Sequence, residues 1–368
     1  MNRSYWLWTV VGFGFLLRCL WWWQHPVINS PDAIVYLREA DNLFTKGMES
    51  DVYMPLYPAL LHLFGGNGII ALQILLSTAS IYLAYRIAHH LWSTGLVAAI
   101  LLAVHPMLIY YATFRLTETV FIFLLLLGLL SLYRDQIIVA AIAFTLADLT
   151  RPALDLVFPL IIIAASKPSL RQIARRLSIF LVVYCTLMSA WWVHNYQKYH
   201  QFVRLDLGGG IVMFLENNEV FERVGFDWEK LSQAWAPFNT LDPVERDAAL
   251  KSAAISYIKD NPIKWLRGTT DRFVRFFTPD DLNFSIWQKR ISLFVMVIAL
   301  AGALMSLAFV SRSVVPLWIP IVFLTVFHLS FLASPRYRLP LDPLLIILAS
   351  GYPARIRGRP PISPERNS

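Results

Sequence analysis

Residues 5–23 read YWLWTVVGFGFLLRCLWWW, an apolar block close to the ~20 residues that a helix needs to cross a lipid bilayer. Similar blocks recur along the chain, which has 368 residues, 57% of them hydrophobic. A soluble domain has only about 45–50% apolar residues. In lipid, each backbone polar group needs a partner within its own segment, so such blocks form helices. The sequence therefore predicts an all-α polytopic membrane protein.

About ten transmembrane helices are expected from the apolar blocks. They lie at residues 5–23, 68–90, 95–112, 118–133, 136–149, 153–165, 176–193, 290–310, 314–333 and 340–353. The first block ends in three tryptophans rather than in the small residues that a signal peptidase accepts. We therefore interpret it as an uncleaved first helix.

Lysine and arginine in the short loops predict the orientation of the chain, because such loops are more basic on the cytoplasmic side. One side of the ten crossings receives Arg134, Lys167, Arg171, Arg175, Arg176, Arg312, Arg355, Arg357 and Arg359. Both termini are then cytoplasmic, and residues 354–368 form a basic cytoplasmic tail. The other side receives a first loop, 24–67, with juxtamembrane helices, and a large loop, 194–289. The whole chain, 1–368, is expected to form a single membrane-embedded domain.

Helices are also predicted within the two large extracytoplasmic loops. Residues 32–47 follow Pro31 and stop at a glycine. Asp242 and Pro243 have the pattern of a helix cap and first turn. Pro262 begins a segment in which apolar and basic residues interleave, as in a helix lying at the membrane interface.

Composition and motifs exclude several classes of protein. The net charge is +8, but the basic residues are spread over loops, so no nucleic-acid partner is expected. Cys19 and Cys185 lie inside apolar blocks, which argues against a disulfide or a metal pair. We find no Walker, Rossmann, HExxH or CxxC motif, and His194 and His200 have no supporting ligand set. No metal site and no cofactor are predicted, although dependence on a divalent metal stays open.

Polar residues from distant parts of the chain fall at the extracytoplasmic ends of the predicted helices. They are Asp32, Glu118, Arg151, His194-Asn195 and Arg336-Tyr337-Arg338. Randomly placed residues would divide between the two faces, so their convergence predicts a site built by folding.

Asp32 and Glu118 are the candidate catalytic acids. The Asp32 carboxylate can accept a proton from an incoming hydroxyl or amine, and Tyr36, one turn later, shares its helix face. Each acid also suits the first turn of a helix, where it would cap or favour the positive helix end.

Three arginines are the candidate ligands for a phosphate. Arg336 and Arg338 flank Tyr337 in a proline-bounded turn, and guanidinium forks suit phosphate oxygens. Anchoring to lipid headgroups is the alternative for this pair. Arg151 either joins them or pairs with a neighbouring aspartate.

Several stretches, in this order, resemble the GT-C glycosyltransferases, specifically the bacterial protein O-mannosyltransferase and aminoarabinose-transferase-like family. The stretches are Pro31-Asp32-x-x-x-Tyr36-x-x-x-Ala40, Pro55-Leu56-Tyr57-Pro58, Thr117-Glu118, Trp192-Val193-His194-Asn195-Tyr196 and Arg336-Tyr337-Arg338-Leu339-Pro340. Two positions depart from the family pattern. Ala33 stands where a second acid is common, and His194 stands where arginine is usual.

The resemblance implies a GT-C-type bundle with helical extracytoplasmic loops in the cytoplasmic (inner) membrane. It also implies transfer of a hexosyl or pentosyl group from a polyprenyl-phosphate donor to an extracytoplasmic glycan, lipid or protein, with membrane lipids as further partners. The implied catalytic residues are Asp32 and Glu118, and the implied phosphate ligands are Arg336, Arg338 and Arg151. The implied substrate-binding residues are Tyr36, Tyr57, His194, Asn195 and Tyr337.

Other functions make different demands on the sequence. A flippase or transporter of lipid-linked saccharides needs polar residues through the membrane, and we expect the spans to be nearly free of them. A non-catalytic scaffold does not need acids and arginines on one face. A glycan ligase or polymerase shares the chemistry and stays open as an alternative.

Overall fold

The computed structural model describes residues 3–25, 30–278, 284–307 and 311–351. Regular secondary structure in these ranges is helical throughout, with no strand. This confirms the predicted all-α class. The predicted cytoplasmic tail, 354–368, lies outside the described residues.

We number the α-helices in chain order. The first nine are α1 (Arg3–Gln24), α2 (Pro31–Asn42), α3 (Leu56–Trp92), α4 (Gly95–Ala103), α5 (Pro106–Tyr111), α6 (Glu118–Tyr133), α7 (Ile137–Thr150), α8 (Phe158–Ala165) and α9 (Leu170–Tyr199). The others are α10 (Gly209–Phe214), α11 (Glu219–Val224), α12 (Trp228–Trp235), α13 (Pro243–Asp260), α14 (Pro262–Phe277), α15 (Ile286–Leu307), α16 (Val315–Ser330), α17 (Pro335–Arg338) and α18 (Leu341–Ala349). Short 3-10 turns precede α13 and α16.

Every predicted span contains a helix. By length and hydropathy, α3, α9, α15 and the segment Arg312–Ser330 could each cross a membrane, and α6 and α7 are shorter apolar helices. The predicted span 95–112 is divided into α4 and α5, because Pro106 occupies the first position of α5 and its ring cannot continue the preceding helix. A kink also interrupts α3 at Gly65, where φ is 69°, a conformation that favours glycine.

Helix α3 packs against several other helices, most extensively against α6, α4, α2 and α1. Next to it, α6 and α7 pack closely, because Gly128 leaves room for the ring of Phe144. Phe144 in turn stacks on Phe158 of α8, with ring centroids 4.3 Å apart. On the other side, α18 is buried against α15, α16 and α4. This packing fixes the helix ends that carry the polar residues.

The first loop differs from its prediction in the length of its helix. Helix α2 ends at Asn42, whose carbonyl oxygen accepts hydrogen bonds from the amides of the next turn, so the predicted helix 32–47 is too long. Its N-cap is Ser30 rather than Asp32, because the Ser30 side chain accepts a bond from the first turn. Asp32 instead lies within that first turn, near the positive end of the helix.

The helices predicted in the large loop are present. The Asp242 carboxylate caps α13, accepting the amides of Val244 and Glu245 at 2.9 and 3.1 Å, and α14 begins at Pro262 as predicted. One side of α14 exposes Ile263, Leu266, Phe273 and Val274. Its other side packs against α16 and α17, which brings the large loop beside the turn that precedes the last predicted span.

Candidate active site

An ion cluster of Asp32, Glu118, Arg151 and Arg336 joins four distant parts of the chain. Nη1 of Arg336 donates to Oδ2 of Asp32 at 2.5 Å, and its Nε donates to Oε1 of Glu118 at 2.5 Å. Nη1 of Arg151 donates to the same Glu118 oxygen at 2.9 Å. The structure thus brings together four of the residues that the sequence selects.

Helix ends position each member of the ion cluster. Asp32 lies in the first turn of α2, and Glu118 is the first residue of α6. The positive ends of these two helices favour carboxylates. Arg151 follows the last residue of α7, and Arg336 lies in the single turn of α17. Helices α6 and α7 are packed neighbours joined by a short connection. The N-terminus of α6, at Glu118, therefore lies beside the C-terminus of α7, which Arg151 follows.

Asp32 is the accessible acid of the cluster. Its side chain is 33% exposed, whereas that of Glu118 is 1% exposed. The Tyr53 hydroxyl donates to Oδ1 of Asp32 at 2.9 Å. Burial raises the pKa of Asp32, but the charge of Arg336 and the hydrogen bonds from Arg336 and Tyr53 outweigh it, so the net pKa is lowered. Asp32 is therefore an ionised carboxylate at neutral pH.

Glu118 holds two guanidinium groups in place. Both Arg151 and Arg336 donate to Oε1, while Oε2 is buried without a hydrogen-bond partner among the described residues. A buried carboxylate is costly unless it is paired, and here two cations satisfy it. Glu118 therefore fixes the positions of the arginines rather than facing water.

Tyr337 supports the two arginines from one side. The Arg151 guanidinium lies 4.8 Å from the centre of the Tyr337 ring, within cation–π range. The Arg336 guanidinium lies 5.9 Å from the same centre, and His328 stacks on the ring with centroids 4.9 Å apart and an interplanar angle of 5°. These contacts reduce the freedom of Arg151 before any ligand binds.

Tyr36 and Tyr57 are buried and connect to Asp32 through Tyr53. The Tyr36 ring packs between Tyr53 and Tyr57, with centroid distances of 4.5 and 4.9 Å. The Tyr57 hydroxyl donates to Gln73 at 2.7 Å. These two tyrosines thus support the segment that presents Tyr53 to Asp32.

Arg338 does not join the ion cluster. It is fully buried, and its Nε donates to Oδ1 of Asp342 at 2.9 Å while Nη1 donates to the carbonyl oxygen of Phe276 at 2.9 Å. These partners tie the turn of α17 to α14 and α18. The structure therefore gives Arg338 a structural partner in place of the predicted phosphate.

His194 and Asn195 also lie apart from the ion cluster. The His194 ring stacks on Trp191, with centroids 5.0 Å apart. Nδ2 of Asn195 donates to the carbonyl oxygens of Val203 and Leu205, both at 2.9 Å. Asn195 thereby folds the chain back after α9, so its contacts stabilise the loop.

A cavity of about 650 Å³ opens beside Arg336, within the ~300–1,000 Å³ range typical of ligand pockets. Its lining comprises Leu215, Phe226, Trp228, Asp271, Val274, Arg275, Thr278, Leu332, Ala333, Ser334, Pro335, Arg336 and Tyr337. Arg275 donates to Glu216 at 2.5 Å and lies 4.8 Å from the centre of the Phe226 ring. Two arginines, Arg275 and Arg336, therefore face one cavity.

Sequence reasoning did not select Tyr53, Glu216 or Arg275 as site residues. Arg275 belongs to the basic residues of α14, and Glu216 follows the glycine run of the large loop. Neither position carries a signal that separates it from ordinary surface charges. Only the packing of α14 against α17 brings Arg275 to the cavity.

The expectation that the spans are nearly free of polar residues is wrong. Arg18 of α1 is fully buried and bonds to Ser77 at 2.7 Å and to the carbonyl oxygen of Gly14 at 2.8 Å. Between α4 and α5, Nε2 of His105 lies 3.4 Å from Oδ2 of Asp342. These groups are enclosed by the helices, so they tie the bundle together.

Within the described ranges, no three histidine, cysteine or acidic side chains are grouped to hold a metal ion. In the ion cluster, both acids instead face the guanidinium of Arg336. Their two charges are therefore balanced by two cations of the protein, Arg336 and Arg151.

The chain resembles solved structures in its fold, whereas sequence comparisons give no match. No protein-family model matches the chain, and no curated protein matches it either. The chain is similar to the crystal structure of ArnT from Cupriavidus metallidurans bound to undecaprenyl phosphate, with 14% sequence identity and a TM-score of 0.47. The match covers 96% of this chain and 79% of that chain. At this level of similarity, function has to be inferred from the ion cluster and the cavity themselves.

Proposed function

We propose that this protein is a GT-C-type glycosyltransferase that moves a sugar from a polyprenyl-phosphate donor to an extracytoplasmic acceptor. The observation that carries the proposal is the Arg336 guanidinium, held by two carboxylates beside an open cavity at the end of an apolar helical bundle. A lipid-linked phosphate needs both parts, because its tail requires apolar helices and its headgroup requires a fixed cation. The order of the sequence motifs supports the same family.

Arg336 and Arg151 are assigned to the leaving phosphate. Two nitrogens of Arg336 are used by the acids, but Nη2 makes no hydrogen bond with the other described residues, and the residue lines the cavity. Glu118 and Tyr337 hold the arginines in position before substrate arrives. Preorganised cations of this kind stabilise the charge that develops on a leaving group without further reorganisation.

Asp32 is assigned the role of general base. Its carboxylate takes the proton of the acceptor hydroxyl while the acceptor oxygen bonds to the anomeric carbon. The bond between that carbon and the phosphate oxygen breaks, and polyprenyl phosphate leaves. The chemistry suits Asp32 rather than Glu118, because Asp32 is both ionised and accessible.

Donor binding is expected to activate Asp32. Arg336 pairs with Asp32, and this pairing makes the carboxylate a weak base. A phosphate at Arg336 competes for the same positive charge, which raises the proton affinity of Asp32. The base therefore gains strength only when a donor is in place.

The active site is assigned to the extracytoplasmic face of the inner membrane, with both termini in the cytoplasm. The distribution of lysine and arginine in the short loops supports this orientation. The acceptor would then reach the cavity from the large loop, 194–289.

Binding of a labelled polyprenyl phosphate to purified protein in lipid nanodiscs tests the proposal. We expect saturable binding by the wild type and at least about tenfold weaker binding by Arg336→Ala, because the fixed cation that lines the cavity is lost. Arg223→Ala is the matched control, since Arg223 is exposed and its ion pair is with Glu219, one turn away on the same helix. Equal affinity in all three proteins would refute the assignment of the phosphate site.

A further inference from the structure

Two large aromatic rings are exposed in the lining of the cavity. Trp228 is 59% exposed and Phe226 is 38% exposed, and their ring centroids lie 5.9 Å apart at an interplanar angle of 42°. Phe226 lies in the connection between α11 and α12 and Trp228 is the first residue of α12, whereas Arg336 comes from α17. Pockets lined by aromatic rings with a few polar groups are typical of ligand sites.

A carboxylate lies in the same lining. Asp271 of α14 is exposed and makes no hydrogen bond or ion pair within the part of the chain that the structure describes. A free carboxylate can accept several hydrogen bonds. We call Phe226, Trp228 and Asp271 the aromatic wall. The Arg275 guanidinium lies over the Phe226 ring, so the more exposed Trp228 ring offers most of the flat apolar surface, and Asp271 offers an unused acceptor beside it.

The chemistry of the aromatic wall favours one class of ligand. An isoprenoid chain would bury the Asp271 carboxylate against hydrocarbon, which is costly without a partner. A sugar ring satisfies both features. Its C–H face carries slight positive charge and packs on the electron-rich face of an aromatic ring, while its hydroxyl groups donate to a carboxylate.

We infer that the aromatic wall is a saccharide subsite that holds a pyranose or furanose ring next to Arg336. The inference rests on the proposed function and extends it, because it assigns residues to the recognition of the sugar. The ring belongs either to the donor or to the acceptor. In both cases, the shared cavity brings it close to the guanidinium that binds the phosphate.

Saturation-transfer NMR on purified protein in nanodiscs tests the inference without any need for turnover. The probes are methyl glycosides of glucose, mannose, galactose, arabinose and N-acetylglucosamine. We expect at least one to show ring-proton transfer with the wild type. Trp228→Leu and Asp271→Asn should each weaken its binding about tenfold, or abolish the signal.

Two further variants control for packing and for surface tryptophans. Trp228→Phe keeps a flat ring and should retain glycoside binding, whereas leucine keeps only apolar volume. Trp23→Leu changes a tryptophan that is 81% exposed elsewhere on the chain and should have no effect. If the glycoside stays bound when lipid-linked donor is added, the subsite holds the acceptor sugar. If the donor displaces the glycoside, the subsite holds the donor sugar.

The inference is overturned if no glycoside binds, or if every glycoside binds Trp228→Leu as well as it binds the wild type. It is also overturned if Trp228→Leu weakens binding of unglycosylated polyprenol instead, because the wall would then contact lipid. Polyprenyl-phosphate binding that depends on Arg336 but not on Trp228 would leave the proposed function intact in that case. Glycoside binding without any binding of polyprenyl phosphate would support the saccharide subsite and refute the proposal that the donor is a polyprenyl-phosphate sugar.

Discussion

Replacing Asp32 with asparagine removes the proposed base while changing few contacts. Asparagine has the same shape, and its side-chain oxygen can still accept the Tyr53 hydroxyl, now 2.9 Å from Oδ1 of Asp32. The ion pair with Arg336 is lost, but Arg336 keeps Glu118 as a partner at 2.5 Å. We therefore expect Asp32→Asn to fold and to bind polyprenyl phosphate.

The expected loss of turnover follows from the role of the base. A positioned general base contributes about 10²–10⁴-fold to the rate, and neither the next residue nor the other acid of the ion cluster can replace Asp32. Ala33 follows it in sequence, and Glu118 is 1% exposed and engaged by two arginines. Donor affinity should stay equal or rise, because Asp32 no longer competes with phosphate for Arg336.

The assay is release of polyprenyl phosphate from a lipid-linked sugar by purified protein in nanodiscs, with donor binding measured on the same preparation. A kcat that falls at least about 100-fold with unchanged or tighter donor binding is the expected result. Turnover within a few-fold of wild type would remove Asp32 from the chemical step. Lost donor binding would instead assign Asp32 to the architecture of the phosphate site.

Four other results are expected. Arg336→Lys should weaken donor binding about tenfold, because a single ammonium group cannot replace the guanidinium that bridges Asp32 and Glu118. An unchanged donor Kd would show that this bridging guanidinium is not needed for donor binding. Arg338→Ala should lower the free energy of unfolding by about 3–5 kcal/mol, because the buried carboxylate of Asp342 loses its cation. The donor Kd of the folded fraction should not change. A Tm equal to that of the wild type would argue against a stabilising role of this buried pair. The pKa of Asp32 is lowered by Arg336, and a bound donor phosphate should weaken this effect and raise that pKa. The acid limb of kcat, which reports the complex, should therefore lie at higher pH than the acid limb of kcat/KM, which reports the free enzyme. Acid limbs at the same pH would refute donor activation. In a cysteine-free background, Ser232→Cys should react with an impermeant thiol reagent in spheroplasts and Ser169→Cys should not; the reverse labelling would invert the topology.

The ion cluster could be predicted from sequence because its members mark helix ends. Asp32 and Glu118 begin helices, Arg151 follows one, and Arg336 precedes the last. Successive predicted spans cross the membrane in opposite directions, so the end of one span and the start of the next are expected on the same side. The predicted topology was therefore sufficient to select them, although it gave no contact between any two.

Arg338 shows why nearness in sequence was a poor guide. Arg336 and Arg338 lie in one helical turn, α17, where successive residues turn by about 100°. Two residues apart, their side chains point to opposite sides. Arg336 therefore faces the cavity, while Arg338 is directed into the bundle toward Asp342.

The cavity and the buried polar residues depended on tertiary packing. Tyr53 and Arg275 have no periodic pattern that distinguishes them from other loop or surface residues. His105 and Asp342 are more than 200 positions apart, and each alone is a single polar residue in an apolar segment. Only the packing of α18 against α4 makes them neighbours.

The most direct test of the proposed glycosyl transfer follows both products of the reaction. Purified wild-type protein in nanodiscs is incubated with a panel of polyprenyl-phosphate sugars and an envelope extract, and the lipid and acceptor fractions are measured by mass spectrometry. We predict that at least one donor is converted to polyprenyl phosphate, with an equal amount of its sugar recovered in the acceptor fraction. The conversion should persist in Arg223→Ala and fall at least about 100-fold in Asp32→Asn. Folded, donor-binding protein that converts no donor, or that converts it equally well without Asp32, would contradict the proposal.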